Sequence, residues 1–230
     1  VIISLHLILA DSELETVPEE ISSDKSIQKK AKRKGRMPTE IILDSNYHHE
    51  SMRTLEDSDR RGRPDIVHVC LLTALDSPLN REGHLRMYVH TRHDEVIEVE
   101  PETRIPRSYN RFVGLMEQLF ITGGVPPKDP LLKLFDERLE ERIKNITPEK
   151  VITFKKEGEQ INRRELFRGL CSEDDVCALI GGFPRGDFLS NVENLSDEIV
   201  KIYHDELDAS TVVGHVIQFY EEEFLSHEIF

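Results

Sequence analysis

Apolar positions along this chain fall into short runs and stripes. Residues 1–10 (VIISLHLILA) are almost continuously apolar, the pattern of a strand buried on both faces. The run has no basic lead and passes straight into Asp11, Glu13 and Glu15, so it reads as a strand rather than a secretory leader. Residues 19–36 predict a helix with Ile21 and Ile27 inward and Gly35 at its end. A short apolar run, Ile41 to Leu43, leads into turn chemistry at Asp44-Ser45-Asn46 and a polar stretch over 51–63. Pro64-Asp65 leads into IVHVCLLTAL (66–75), which predicts a largely buried helix with Asp65 placed to cap it. Alternation over 85–90 and 95–99 predicts a hairpin, and Ser108 a helix across 109–120.

After a Gly/Pro loop at 123–127, LLKLFDERLEERI (131–143) predicts one amphipathic helix, with Leu131, Leu132, Leu134, Phe135, Leu139 and Ile143 inward. Then follow a strand at 151–154, a helix near 163–171 and a strand at 176–180 running into Gly181-Gly182. A strand near 198–203 and a last helix from about 209 to 224 complete the pattern. Strands alternating with helices predict an α/β fold with a mostly parallel sheet flanked by helices.

Composition narrows the function classes. The chain has 230 residues, 38% of them hydrophobic, which is enough for a sizeable core. No stretch reaches the ~18 consecutive apolar residues of a membrane span. Three cysteines (Cys70, Cys171, Cys177) without a CxxC pair argue against a disulfide scaffold, and the expectation is a soluble, cytoplasmic protein. The net charge of −14 argues against coating the molecule with nucleic acid. Charge is segregated, however: residues 25–36 carry seven basic side chains and no acidic one, whereas the last twelve residues carry four glutamates and no Lys or Arg. A basic patch on an acidic body suits contact with RNA at one defined place.

Three clusters could carry chemistry. GGFPRG (181–186) follows a buried strand, where a backbone free of Cβ can approach a ligand; a plain turn is the alternative. It is neither GxGxxG nor a P-loop, which removes the main support for a dehydrogenase or an NTPase. Arg104, Arg107 and Arg111 lie at a helix entry and could bind phosphates, or could pair with Glu100 and Glu102. In Arg63-Pro64-Asp65 the aspartate either caps the helix or orients Arg63 or a polar ligand. Ten histidines show no metal spacing, and the cysteines sit on apolar runs where inert thiols are expected.

Four segments read together give a family resemblance: ILDSNYHH (42–49), RPDIVHVCLLTALDSPLNREG (63–83), YVHTRHDEVIEVEPETRIPRSYNRFVGLMEQL (88–119) and IGGFPRGDF (180–188). They closely resemble the small-subunit ribosomal RNA pseudouridine N(1)-methyltransferases, the nucleolar essential protein family of the SPOUT superfamily, in their compact archaeal form. The resemblance implies a single SPOUT methyltransferase domain over 1–230, with a family-specific extension around 84–111 and a variable helical segment around 121–150. It implies a C-terminal deep trefoil knot, a homodimer, and S-adenosylmethionine bound by three loops.

On this sequence those loops place cofactor contacts at Thr153, at Gly181 and Gly186, and at Ile202, Tyr203, His204, Asp205, Glu206 and Leu207. The family's RNA-contacting arginines fall on Arg63, Arg104, Arg107 and Arg111, and Asp65 matches an aspartate tied to structural integrity. The implied activity is methylation of ring nitrogen 1 of a pseudouridine in small-subunit rRNA during ribosome biogenesis, without metal or membrane. Arg63 is the candidate for stabilising charge on the uracil or for binding an adjacent phosphate; no base is obvious, with Asp65 and loss of the proton to water as the alternatives. The alternative is a non-catalytic RNA-binding assembly factor.

Overall fold

β1 (Leu5–Ser12) is buried along almost its whole length, and the sheet forms on both of its sides. The computed structural model describes residues 4–162, 165–167, 170 and 174–225. Along the chain β1 is followed by α1 (Lys25–Lys34), α2 (Ser45–Met52), α3 (Pro64–Leu75) and the short α4 (Pro78–Arg81). Next come β2 (Leu85–Thr91), β3 (Glu95–Val99), α5 (Tyr109–Thr122), β4 (Gly124–Val125), β5 (Leu132–Asp136) and α6 (Leu139–Ile146). The last part holds β6 (Lys150–Gln160), β7 (Val176–Gly181), α7 (Val192–Leu195), β8 (Glu198–Lys201) and α8 (Ala209–Tyr220).

Among the described residues the sheet has eight strands in the order β4-β5-β3-β2-β1-β7-β6-β8. The five strands β2, β1, β7, β6 and β8 are mutually parallel, and β3, β5 and β4 add an antiparallel edge. The α/β expectation therefore holds, with a parallel body and an antiparallel margin.

Alternation along β1 sends Leu5, Leu7 and Leu9 to a core shared with α3, α5 and α8. Ile8 and Ala10 go to the opposite face, against Leu139 and Ile143 of α6 and Val192 of α7. A third, smaller core (Ile27, Ala31, Ile41, Leu43, Met52) lies under α1 and α2.

Several expectations are corrected. The helix expected over 131–143 is a strand, a turn and a shorter helix. Leu132 and Leu134 alternate with Lys133, which pairs with Glu98 of neighbouring β3 and with Glu100 just after it. The segment 121–150 thus holds two strands besides α6. Asp44-Ser45-Asn46 starts α2, with Asp44 accepting a hydrogen bond from the Asn46 N–H. Asp65 does not cap α3: Pro64 takes the first helical position, so the cap falls on Arg63. Ser108 stands at the cap of α5, but its hydroxyl makes no capping bond. The helix expected near 163–171 lies largely outside the described residues. No helix among the described residues is long and apolar enough to cross a membrane.

Candidate functional site

β6, β7 and β8 run parallel, and the segments at their carboxyl ends line a cavity of about 510 Å³. Ligands of α/β sheets lie at this end of the strands. β6 contributes Phe154 to Glu157, where its register with β8 shifts. The loop after β7 contributes Gly181, Phe183 and Gly186 to Phe188, and the loop after β8 contributes Ile202, Tyr203 and Asp205 to Leu207. Of the expected cofactor residues, Gly181, Gly186, Ile202, Tyr203, Asp205, Glu206 and Leu207 meet at this cavity. Thr153 does not: it is fully buried, its hydroxyl 2.6 Å from that of Ser196, and the lining begins one residue later. His204 lies outside the lining and packs on Tyr203, ring centroids 4.0 Å apart.

The glycine loop is held from residues far away in sequence. Gly182 donates its N–H to Ala10 O and accepts from Glu13 N–H, so close to β1 that a Cβ would overlap Ser12. Gly186 has φ +83°, a conformation that favours glycine. Asp11, buried, accepts from the backbone N–H groups of Leu189 (2.7 Å) and Ser190 (2.9 Å) and from the Ser190 hydroxyl. Burial pushes the Asp11 carboxyl up, but its hydrogen bonds from His90 and Ser190 outweigh this and hold it below the usual range. Arg60 donates to Asp187 O (2.8 Å), pairs with buried Glu13 (2.5 Å), and lies 4.4 Å over the Phe183 ring. Asp11, Glu13 and Arg60 were not foreseen; no local spacing marks residues that act across the whole chain.

A second cavity, about 600 Å³, adjoins the first: both are lined by Phe183, Glu206, Leu207 and Ala209. Arg63 and Asp65 line this second cavity with Asp208. Arg63 Nε and Nη2 donate to the two Asp65 oxygens at 2.9 and 2.8 Å. These hydrogen bonds raise the guanidinium pKa further, so its charge is permanent. Asp65 therefore orients Arg63, which was one of its open readings. Asp208 stands at the start of α8, yet its side chain makes no capping bond. Among the described residues its carboxylate has no hydrogen-bond partner, which makes it a functional candidate although aspartate before a helix ordinarily serves as a cap.

Arg104 and Arg107 precede α5 in an irregular segment and Arg111 is in its first turn; all three are exposed and outside both cavities. The alternative pairing with Glu100 and Glu102 does not form, since Glu100 binds Lys133. Arg107 makes only a 3.6 Å contact to exposed Asp76, and no carboxylate pairs with Arg104 or Arg111 among the described residues. The segment is tied to α3 by His68, whose Nε2 donates to Pro106 O (2.7 Å) while its ring stacks on Phe112. Burial pushes the Cys70 thiol up to about 12, and that of Cys177 also upward, so neither is a nucleophile. Among the described residues no three His, Cys, Asp or Glu side chains are grouped to hold a metal ion.

Comparison with known proteins gives a consistent picture. The family described as EMG1/NEP1 methyltransferase matches residues 7–221. The ribosomal RNA small subunit methyltransferase Nep1 of Pyrococcus furiosus is 51% identical over 221 residues, covering 96% of this chain and 98% of that protein. Its counterpart from Thermococcus kodakarensis is 49% identical over 217 residues, 94% of this chain and 97% of that protein. Among solved structures, Archaeoglobus fulgidus Nep1 bound to S-adenosylhomocysteine superposes with a TM-score of 0.84 at 35% identity, covering 96% and 98% of the two chains.

Proposed function

The chain belongs to the EMG1/NEP1 methyltransferase family, and on that premise we propose that it transfers a methyl group from S-adenosylmethionine to ring nitrogen 1 of a pseudouridine in small-subunit rRNA. The observation that carries this reading is the pair of adjoining cavities sharing Phe183, Glu206, Leu207 and Ala209. One suits the donor, the other an extruded nucleoside, and the shared wall puts their contents side by side.

The residues of the first cavity fit the donor's chemistry, and its volume is that of a small-molecule site. Phe154, Ile180, Val200, Ile202, Leu207 and Val212 give apolar walls for an adenine ring and a thioether. Asp187, Asp205 and Glu206 supply acceptors for ribose hydroxyls and an ammonium group. When bound, S-adenosylmethionine supplies an electrophilic methyl on a sulfonium. Apolar walls favour such a displacement, because water stabilises the concentrated charge of the reactants more than the dispersed charge of the transition state.

In the second cavity Arg63, fixed by Asp65, presents a permanent positive charge that stabilises negative charge developing on the uracil carbonyls as nitrogen 1 loses its proton. Asp65 is a poor acceptor for that proton because both its oxygens are engaged. Asp208, which lines the same cavity unpartnered, is the better placed carboxylate. Arg104, Arg107 and Arg111 present charge to phosphates. The reading extends to a knotted path of the C-terminal segment, to a dimer and to the cytoplasm. It is supported by the family resemblance.

The test is label transfer from S-adenosylmethionine to an RNA hairpin with pseudouridine, or uridine, in its loop. Label should enter only the pseudouridine hairpin, and Arg63→Ala should lower kcat by about 10²–10³ with the cofactor dissociation constant unchanged. RNA binding without label transfer would leave the assembly-factor reading instead.

A further inference from the structure

The basic run has no part in the chemistry above, yet α1 forms one wall of a cavity of about 730 Å³. Its other walls are α2, through Tyr47 and His48, and α5, through Asn110 and Val113. Charge in this cavity is unbalanced. Lys34 is matched by Glu117 at 2.5 Å, but Lys29, Lys32 and Arg33 are exposed and pair with no carboxylate among the described residues. Asp44, the one carboxylate of the lining, is already committed: its oxygens accept from Asn46 N–H and the Tyr109 hydroxyl.

Lys30 is in an awkward position. Its Nζ lies 3.1 Å from His48 Nε2, while the Asp44 backbone N–H donates to Nδ1 of the same ring. A neutral imidazole has one acceptor nitrogen, so Nε2 carries the hydrogen and offers an ammonium nothing. Burial, and next the charge of Lys34, lower the Lys30 pKa. In a chain of net charge −14, five basic side chains around one concavity with so few counter-charges mark a place for an outside anion.

Two further features favour a nucleic acid strand over a flat anionic surface. The site is concave and holds the ring of Tyr47, 58% exposed, with Lys30 Nζ 4.2 Å from its centroid. An exposed aromatic beside cations is the usual platform for an unpaired base. The cavity also lies near the proposed substrate cavity: the backbone N–H of Ser45, next to the lining residue Asp44, donates to the carbonyl of Gly62, next to Arg63, at 2.9 Å. Tyr109 donates its hydroxyl to Asp44, and burial, Asp44 and the more distant Asp65 charge keep that hydroxyl protonated.

We infer that the α1–α2–α5 cavity holds the RNA strand flanking the target nucleoside, with Lys29, Lys32 and Arg33 on its phosphates and Tyr47 stacked on an unpaired base. This rests on the proposed RNA substrate. The test compares the wild-type protein with a Lys29→Ala/Lys32→Ala/Arg33→Ala variant and with Tyr47→Ala. The probes are a pseudouridine hairpin carrying single-stranded flanks, the same hairpin without flanks, and phosphatidylserine vesicles.

For the flanked RNA the triple variant should bind about tenfold or more weakly, and the slope of log affinity against log salt should shrink by about 2. Tyr47→Ala should weaken the same RNA with its slope unchanged. Binding of the flankless hairpin and of S-adenosylhomocysteine should match wild type. Equal affinity and slope on flanked RNA for the triple variant, with wild-type methylation intact, would overturn this site alone. Loss of vesicle binding with RNA affinity unchanged would also overturn it, in favour of a lipid surface. A wild-type protein that neither binds nor methylates either RNA would instead remove the proposed function beneath it.

Discussion

Gly181 ends β7 at the mouth of the donor cavity, and a Cβ there would come 2.7 Å from the Phe183 ring. That ring is held between the Arg60 guanidinium and the edge of Phe188, 5.3 Å away, and it lines both cavities. Gly181→Val should push Phe183 out of this position at a cost of about 1–3 kcal/mol. The expected outcome is a roughly 5- to 150-fold weaker affinity for S-adenosylhomocysteine by calorimetry, with an unchanged circular dichroism spectrum. An unaltered dissociation constant would detach the glycine loop from the donor site. Residues of this kind were readable because their signal is local: glycines after an apolar run, and an arginine two positions before an aspartate. Asp208 was not, because aspartate before a helix has an ordinary meaning that only the missing capping bond removes. Nor was Glu13, whose carboxylate acts on the loop through Arg60, 47 positions away.

Between elements, a buried histidine of α2 meets α1 beside the small core that the two helices share, His48 Nε2 lying 3.1 Å from Lys30 Nζ. His48 is 2% exposed, and burial first, then the Lys30 charge, lower its pKa from 6.5 to about 4. The folded protein thus keeps the ring neutral where the unfolded chain protonates it. This contribution is complete above pH 6.5 and is lost as pH falls toward 4, by roughly 2–4 kcal/mol in total. Urea midpoints should therefore fall between pH 6.5 and 4, and His48→Gln should flatten that part of the curve; parallel curves would show that another group controls it.

Element boundaries were the weaker part of the sequence reading, for identifiable reasons. Over 131–143 the charges of Asp136, Glu137 and Arg138 continue a helical stripe, so the period-2 segment before them was absorbed into it. The antiparallel edge at β3 then takes Leu132–Asp136 as a strand. At Pro64 the proline at the first helical position moved the cap back by two residues, from Asp65 to Arg63, which freed Asp65 to hold Arg63.

Across the whole molecule, the donor cavity is lined by β6, β7, β8 and α8, elements that also carry the main core. Val200, Ile180 and Phe154 belong to both, and Val212 packs against the core. A ligand seated there therefore draws on the cooperative unfolding of the molecule rather than on a loop that opens independently. S-adenosylhomocysteine at a hundredfold its dissociation constant should stabilise the fold by about 2.7 kcal/mol. In a chain of this length that raises Tm by about 5–10 °C in calorimetry, increasing further with the logarithm of ligand concentration. The α1–α2 layer, with its separate small core, stands apart from those elements. RNA held only there should add protection from hydrogen exchange in residues 25–52 and little in β7. If S-adenosylhomocysteine left Tm unchanged at saturation while RNA raised it, the chain's affinity would lie wholly on its arginine- and lysine-bearing surface, and the parallel strand ends would hold no donor.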